Sequence, residues 1–172
     1  MNNIYIKQIF YFILLLALQI LIFNKVCLWG MVTPVVYLIF IFSLPFNTPK
    51  WAMVLLGFLT GFLVDIFCEV IGFHALATLI IAFLRAGTIK LIPLRVEREE
   101  HLLPILYDMK FGWYFQYALY LIFIHQFVYF FADALSFQNF GKLILVVLSN
   151  TLASLLCIFL IQILVYKPSK RY

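Results

Sequence analysis

The sequence predicts an all-α membrane protein, a six-transmembrane-helix bundle forming a single integral membrane domain over residues 1–172. Three observations carry that prediction. Hydrophobic residues make up 66% of the chain and charged residues only 11%. A soluble domain has about 45–50% and 25%, so there is too little charge here to solvate a water-exposed fold. The mean hydropathy is +1.11. Apolar runs of the length that crosses a bilayer, about 20 residues each, also recur along the chain with one long polar interval between them.

The first run, residues 4–23, exceeds the apolar core of a signal peptide, about 7–15 residues. It ends at Asn24-Lys25 rather than at small residues, so it reads as a retained span. The second run, 27–46, contains Pro34 and ends at Pro45. Proline removes a helical hydrogen bond and clashes with the preceding turn, which predicts a span kinked near its start. The alternative is a helix that begins at Pro34 and is too short to cross unaided. The turn Asn47-Thr48-Pro49-Lys50 places Pro49 at a helix start, where it is well tolerated, and opens the third span, 51–68. Gly72 separates it from the fourth, 73–91. Pro93 begins the polar interval 93–110, PLRVEREEHLLPILYDMK, whose mixed charges suggest a cytoplasmic solvated loop or short surface helix. The fifth and sixth spans are 111–131 and 143–166, followed by a short basic tail. Trp51, Trp113 and Tyr166 at span ends read as interfacial anchors.

Orientation follows from the basic residues, because basic loops stay in the cytoplasm. With both termini inside, Lys7, Lys50, Lys90, Arg95, Arg98, Lys110, Lys167, Lys170 and Arg171 fall on the inner side, with Arg85 near it. Only Lys25 and Lys142 fall outside. The net charge of +5 is thus explained by topology, with no nucleic-acid partner.

The most informative stretch is Leu55 to Arg85. Residues four apart share a helix face, so Gly57, Gly61, Asp65 and Glu69 form one stripe on the third span. His74, Thr78 and Ala82 repeat the arrangement on the fourth. Facing stripes of small residues let helix backbones approach closely in a bilayer. Asp65 lies about 22 Å along the helix from Lys50 at 1.5 Å per residue, in the outer third of the membrane. His125 and Gln126 on the fifth span and Asn150 on the sixth share this middle-to-outer zone.

An intramembrane carboxylate is expensive and by default functional. Asp65 therefore reads as facing the bundle interior or a partner's helix, the bland alternative being a helix end wetted from outside. Glu69 falls nearer the interface. His74 is placed to pair with Asp65 or Glu69, either as part of a site or as a structural clasp. Arg85 is expected to extend its long side chain to the inner headgroups. His125 and Asn150 are more often interhelical hydrogen-bonders than ligands.

The sequence shows no nucleophile–base pair or phosphate-cradling glycine loop, so an enzyme and a cofactor are not expected. Metal-ligand spacing is also missing. The odd number of cysteines (Cys27, Cys68, Cys157) argues against a disulfide framework. A proton relay through Asp65, Glu69 and His74 would need ionisable groups across the full depth, and the inner half holds few.

The segment GFLTGFLVDIFCEVIGFHALATLIIAFLR resembles the signature of the bacterial rod shape-determining protein MreD family. Gly57, Gly61, Asp65, Gly72, His74 and Ala75 match it, and the upstream Pro34-Val-Val-Tyr-Leu run and the chain length are also similar. Specific matching covers about a third of the chain. The resemblance implies a bacterial inner-membrane component of the cell-wall elongation machinery. Its partners would be an MreC-like periplasmic scaffold and, indirectly, an MreB-like actin homologue and the cell-wall synthases. It also implies a fold similar to the substrate-binding subunits of energy-coupling-factor transporters.

Two functions are therefore expected. In one, a non-enzymatic scaffold binds a partner through the Gly57–Asp65 face or the neighbouring outer loop, surrounded by membrane lipids. In the alternative, a vitamin-like small molecule binds in an outward pocket lined by Asp65, His74, His125 and Asn150. The pocket requires a cavity of about 300 Å³ or more; the scaffold requires that space to be filled by side chains.

Overall fold

The computed structural model describes residues 2–25, 32–70, 72–92, 103–134 and 140–165, with the backbone alone at residues 2–7. Its helices are α1 (Asn2–Leu18), α2 (Leu38–Ser43), α3 (Lys50–Cys68), α4 (Phe73–Leu91), α5 (Phe111–Ala134) and α6 (Phe140–Val165). Helices α3, α4, α5 and α6 are long and apolar enough to cross a membrane. Exposed Phe58, Phe62, Phe83, Leu152 and Leu156 give them apolar outer faces, as expected where the surrounding solvent is hydrocarbon. Helix α1 continues into a π-helical turn, Gln19–Phe23, closed by the Asn24 N–H on the Gln19 carbonyl at 2.8 Å.

The second apolar run departs from the expected kinked span. Among the described residues, 33–36 are irregular and Tyr37 forms a turn before the six-residue α2. Every residue from Pro34 to Leu44 is buried. This broken segment is the central strut of the bundle, and Phe12 of α1 packs on its Phe40 at 4.6 Å between ring centroids. The strut's hydrogen-bond partners advance with it along α6, from Asn150 opposite Thr33 to Ser154 opposite Val35. They also advance along α4, from Thr78 at Tyr37 to Arg85 at Leu44. The strut therefore runs parallel to α4 and α6.

Residues 93–102 of the polar interval lie outside the described residues. The remainder, 103–110, is a turn-rich segment tucked under the bundle, with Ile105 and Met109 buried. Gln162 of α6 holds it by accepting the Leu106 N–H at 2.8 Å, so this part is not a solvated loop. Trp113 differs from its expected anchoring role: it is buried, stacked on Tyr117 at 5.0 Å, and donates its indole N–H to the Ile92 carbonyl. Trp51 is exposed, and Tyr166 lies outside the described residues.

Candidate functional site

The polar residues form a connected interior that begins where α3 meets α4. A Cβ added at Gly57 would lie 2.6 Å from the Ala82 Cβ and 3.0 Å from the Thr78 carbonyl oxygen. At Gly61 it would strike the His74 carbonyl and lie 2.6 Å from the Ala75 Cα. The two glycines are the reason α4 seats against α3 at backbone distance. One turn further, the Asp65 carboxylate accepts the His74 N–H on Oδ1 at 3.0 Å and the Ala75 N–H on Oδ2 at 2.8 Å. These are first-turn amides of α4, which have no partner within their own helix. Gly72, at the α4 start, provides no side-chain cap. Asp65 caps the helix from across the turn, placing negative charge at the positive end of the α4 dipole.

Glu69 ends α3 in the left-handed conformation (φ 57°) with its side chain exposed, and Gly72 follows at φ 75°. The tight reversal needs two such residues, and glycine takes the second at little steric cost. The Gly57–Asp65 face is thus filled by the chain's own α4, which corrects the expectation that a partner occupies it. Glu69 does not join the interior cluster.

Below the clasp lies a hub around the Tyr37 hydroxyl. It lies 2.8 Å from His125 Nε2, 3.0 Å from Thr78 Oγ1 and 3.3 Å from His74 Nδ1. The two imidazoles stack at 6.0 Å between centroids, and Tyr129 covers His74 at 4.4 Å. His74 contributes its backbone N–H to Asp65 but turns its ring to Tyr37, so the expected pairing of the ring with Asp65 or Glu69 is corrected. His125 Nδ1 has no hydrogen-bond partner among the described residues. Ring packing closes the hub on the sides the described residues occupy, and His125 is fully buried.

The third group holds the strut. Non-helical backbone at membrane depth requires partners from elsewhere, and Gln19 supplies several. Its Oε1 accepts from the Val36 N–H at 2.7 Å and the Tyr37 N–H at 3.4 Å. Its Nε2 donates to the Pro34 carbonyl at 3.2 Å and to Asn24 Oδ1 at 2.8 Å. Asn150 Oδ1 accepts the Thr33 N–H at 2.9 Å. Ser154 Oγ accepts the Val35 N–H at 3.0 Å and the Gln126 amide at 3.1 Å. Three side chains, one from the π-helical turn after α1 and two from α6, thus replace the ladder an α-helix would have provided.

At the opposite end Arg85 is 2% exposed. Its Nε donates to the Tyr117 hydroxyl at 2.8 Å and its Nη2 to the carbonyls of Phe42, at 3.4 Å, and Leu44. Those carbonyls end α2, where a cation is favourable. The expectation that Arg85 reaches to headgroups is corrected, since the guanidinium turns inward.

Of the residues read from sequence, the structure brings together Gly57, Gly61, Asp65, His74, Thr78 and His125, with Asn150 one layer away on α6, against the strut. Tyr37, Gln19, Ser154 and Gln162 were missed. Asn150, Ser154, Ile158 and Gln162 lie four apart on one fully buried face of α6, and three polar residues of four on that stripe carried the signal. Among the described residues, no three histidine, cysteine or acidic side chains gather as a metal site would require. No protein-family model, curated protein or solved structure matches this chain.

Proposed function

We propose that this chain is a non-enzymatic scaffold of the bacterial inner membrane that binds partner proteins through its helices. In the reading its resemblance to the MreD family implies, it maintains rod shape within the cell-wall elongation machinery. The observation that supports this best is that the interior polar groups bond to one another. Asp65 holds the α4 amides, Tyr37 joins Thr78 to the two histidines, and Asn150 holds Thr33. A vitamin-like ligand lined by Asp65, His74, His125 and Asn150 would need the space these contacts fill, so the geometry weighs against a ligand at that place.

Six crossings follow if α1 with its π turn and the strut each count as one, with both termini cytoplasmic. Extended chain rises about 3.3 Å per residue and helix about 1.5 Å. Residues 32–36 at that full extension, with Tyr37 and α2 at helical rise, then reach at most about 27 Å, slightly under the roughly 30 Å hydrocarbon core. The parallel course of strut, α4 and α6 agrees with alternate crossings in one direction.

With the glycine face occupied, we assign partner docking to a groove of about 670 Å³ between α4, α5 and α6, lined by Thr88, Gln116, Tyr120, Leu148 and Leu152 among others. Its occupant would be the single membrane helix of an MreC-like partner. An apolar helix fits the lining, and exposed Gln116 and Tyr120 offer the polar atoms that fix register between membrane helices. Leu152→Trp should fill the groove while leaving folding unchanged, because Leu152 is 59% exposed. Loss of co-purification of a single-anchor partner, together with rounding of rod-shaped cells, is expected. Cells that keep their shape without the chain but lose uptake of a vitamin would overturn the proposal.

A further inference from the structure

At the Arg85 end, a cavity of about 150 Å³ lies between the loop before α3, the first turn of α3 and the last turns of α4. Arg85 lines it from within the bundle, and the exposed side chains of Asn47, Lys50 and Lys90 stand at its rim. Among the described residues no carboxylate lines it or pairs with any of these three cations. The carbonyls on Nη2 offer Arg85 dipoles but no counter-charge. Among the described residues its Nη1 has only the Met53 thioether, at 3.8 Å, as acceptor, and Met53 is itself in the cavity wall. Helix α3 begins here without a side-chain cap and α4 ends here, both of 19 residues, so their dipole ends offset one another and the side-chain cations set the sign of the cavity. A buried charge left without an opposite charge is costly, and like charges around one cavity repel.

We infer that this cavity binds a phosphate-bearing anion, carried by a lipid headgroup or free in solution. Water occupies about 30 Å³ per molecule in the liquid, so the space admits one phosphate group with little else. Planar guanidinium and mobile ammonium groups are the two side-chain types that suit phosphate oxygens. Phe83, 67% exposed beside the cavity, leaves an apolar way out toward the acyl chains of a lipid. The site is separate from the docking groove and does not depend on the scaffold reading.

The test uses the purified full chain in a neutral detergent and follows its thermal unfolding midpoint. The probes are dihexanoyl-phosphatidylglycerol, dihexanoyl-phosphatidylcholine and sodium phosphate, at constant ionic strength. Phosphatidylglycerol should raise the midpoint saturably and phosphatidylcholine should not. Lys50→Gln with Lys90→Gln, both at exposed positions, should weaken the effect roughly tenfold or more, given the usual strength of a lysine near an anionic headgroup. Lys25→Gln with Lys142→Gln should leave it unchanged. A midpoint raised by sodium phosphate alone, and lost with Lys50 and Lys90, supports the site and identifies the free anion as its source. Equal rises with the two lipids, no rise with either phosphatidylglycerol or sodium phosphate, or equal losses in the two double variants, would overturn the inference.

Discussion

Replacing Gln19 with leucine should remove the main polar support of the strut. The change strands the Val36 N–H, bonded at 2.7 Å, the Pro34 carbonyl, at 3.2 Å, and the weakly held Tyr37 N–H, at 3.4 Å. A buried group deprived of its partner costs about 1–3 kcal/mol. Two well-formed bonds and one long one give about 4 kcal/mol, a large share of the 5–15 kcal/mol typical of a whole domain. Gln116→Leu on α5 is the matched control, because that side chain is exposed and strands no backbone group of the strut. Unfolding of the purified chain in mixed micelles, by rising dodecyl sulfate fraction with circular dichroism as readout, measures both. If Gln19→Leu and Gln116→Leu differ by less than about 1 kcal/mol, the account of how non-helical chain is held in the interior fails.

Gly61→Ala should destabilise more than Gly57→Ala, since its Cβ meets α4 backbone rather than chiefly the Ala82 methyl. Overpacking of this kind costs about 1–3 kcal/mol, and Ala82→Gly should partly restore Gly57→Ala but not Gly61→Ala in the same unfolding assay. Asp65→Ala should cost about 1–2 kcal/mol, as the loss of a helix cap does, and should speed hydrogen exchange at the His74 and Ala75 amides; unchanged exchange there would remove Asp65 as the cap. Tyr37→Phe should shift the imidazole resonances of both His74 and His125 in NMR spectra, while a shift confined to one ring would contradict a shared hydroxyl. Arg85→Lys should lower the unfolding midpoint, because an ammonium cannot reproduce the fork that joins Tyr117 to the Leu44 carbonyl.

The α3–α4 pair was legible because its information is periodic: Gly57, Gly61 and Asp65 repeat every four residues, and so do His74, Thr78 and Ala82. The second run was not. Hydropathy is the same for an apolar residue in a helix and in extended chain, so Val35 and Val36 look like any span interior, and Pro34 announces a disturbance without its form. Gln19 was passed over because a single amide in an apolar run is unremarkable until its partners, 15–18 residues away, are known. Arg85 went wrong for a related reason: its long side chain reaches either toward headgroups or back to the carbonyls ending α2, and only the position of α2 decides. The spacing reads the Asp65 carboxylate as facing the bundle interior or a partner's helix, without choosing between them. What it faces is the start of the next helix.

The strut also has a consequence for how the chain is made. Thr33 and Val35 find their acceptors on side chains 117 and 119 positions later in sequence, so that part of the second segment is born without the groups that complete it. Until α6 emerges, those amides must be sheltered by water, by the insertion machinery or by a transient helix. Chains halted before Asn150 should therefore leave this region open to proteases that the finished protein resists.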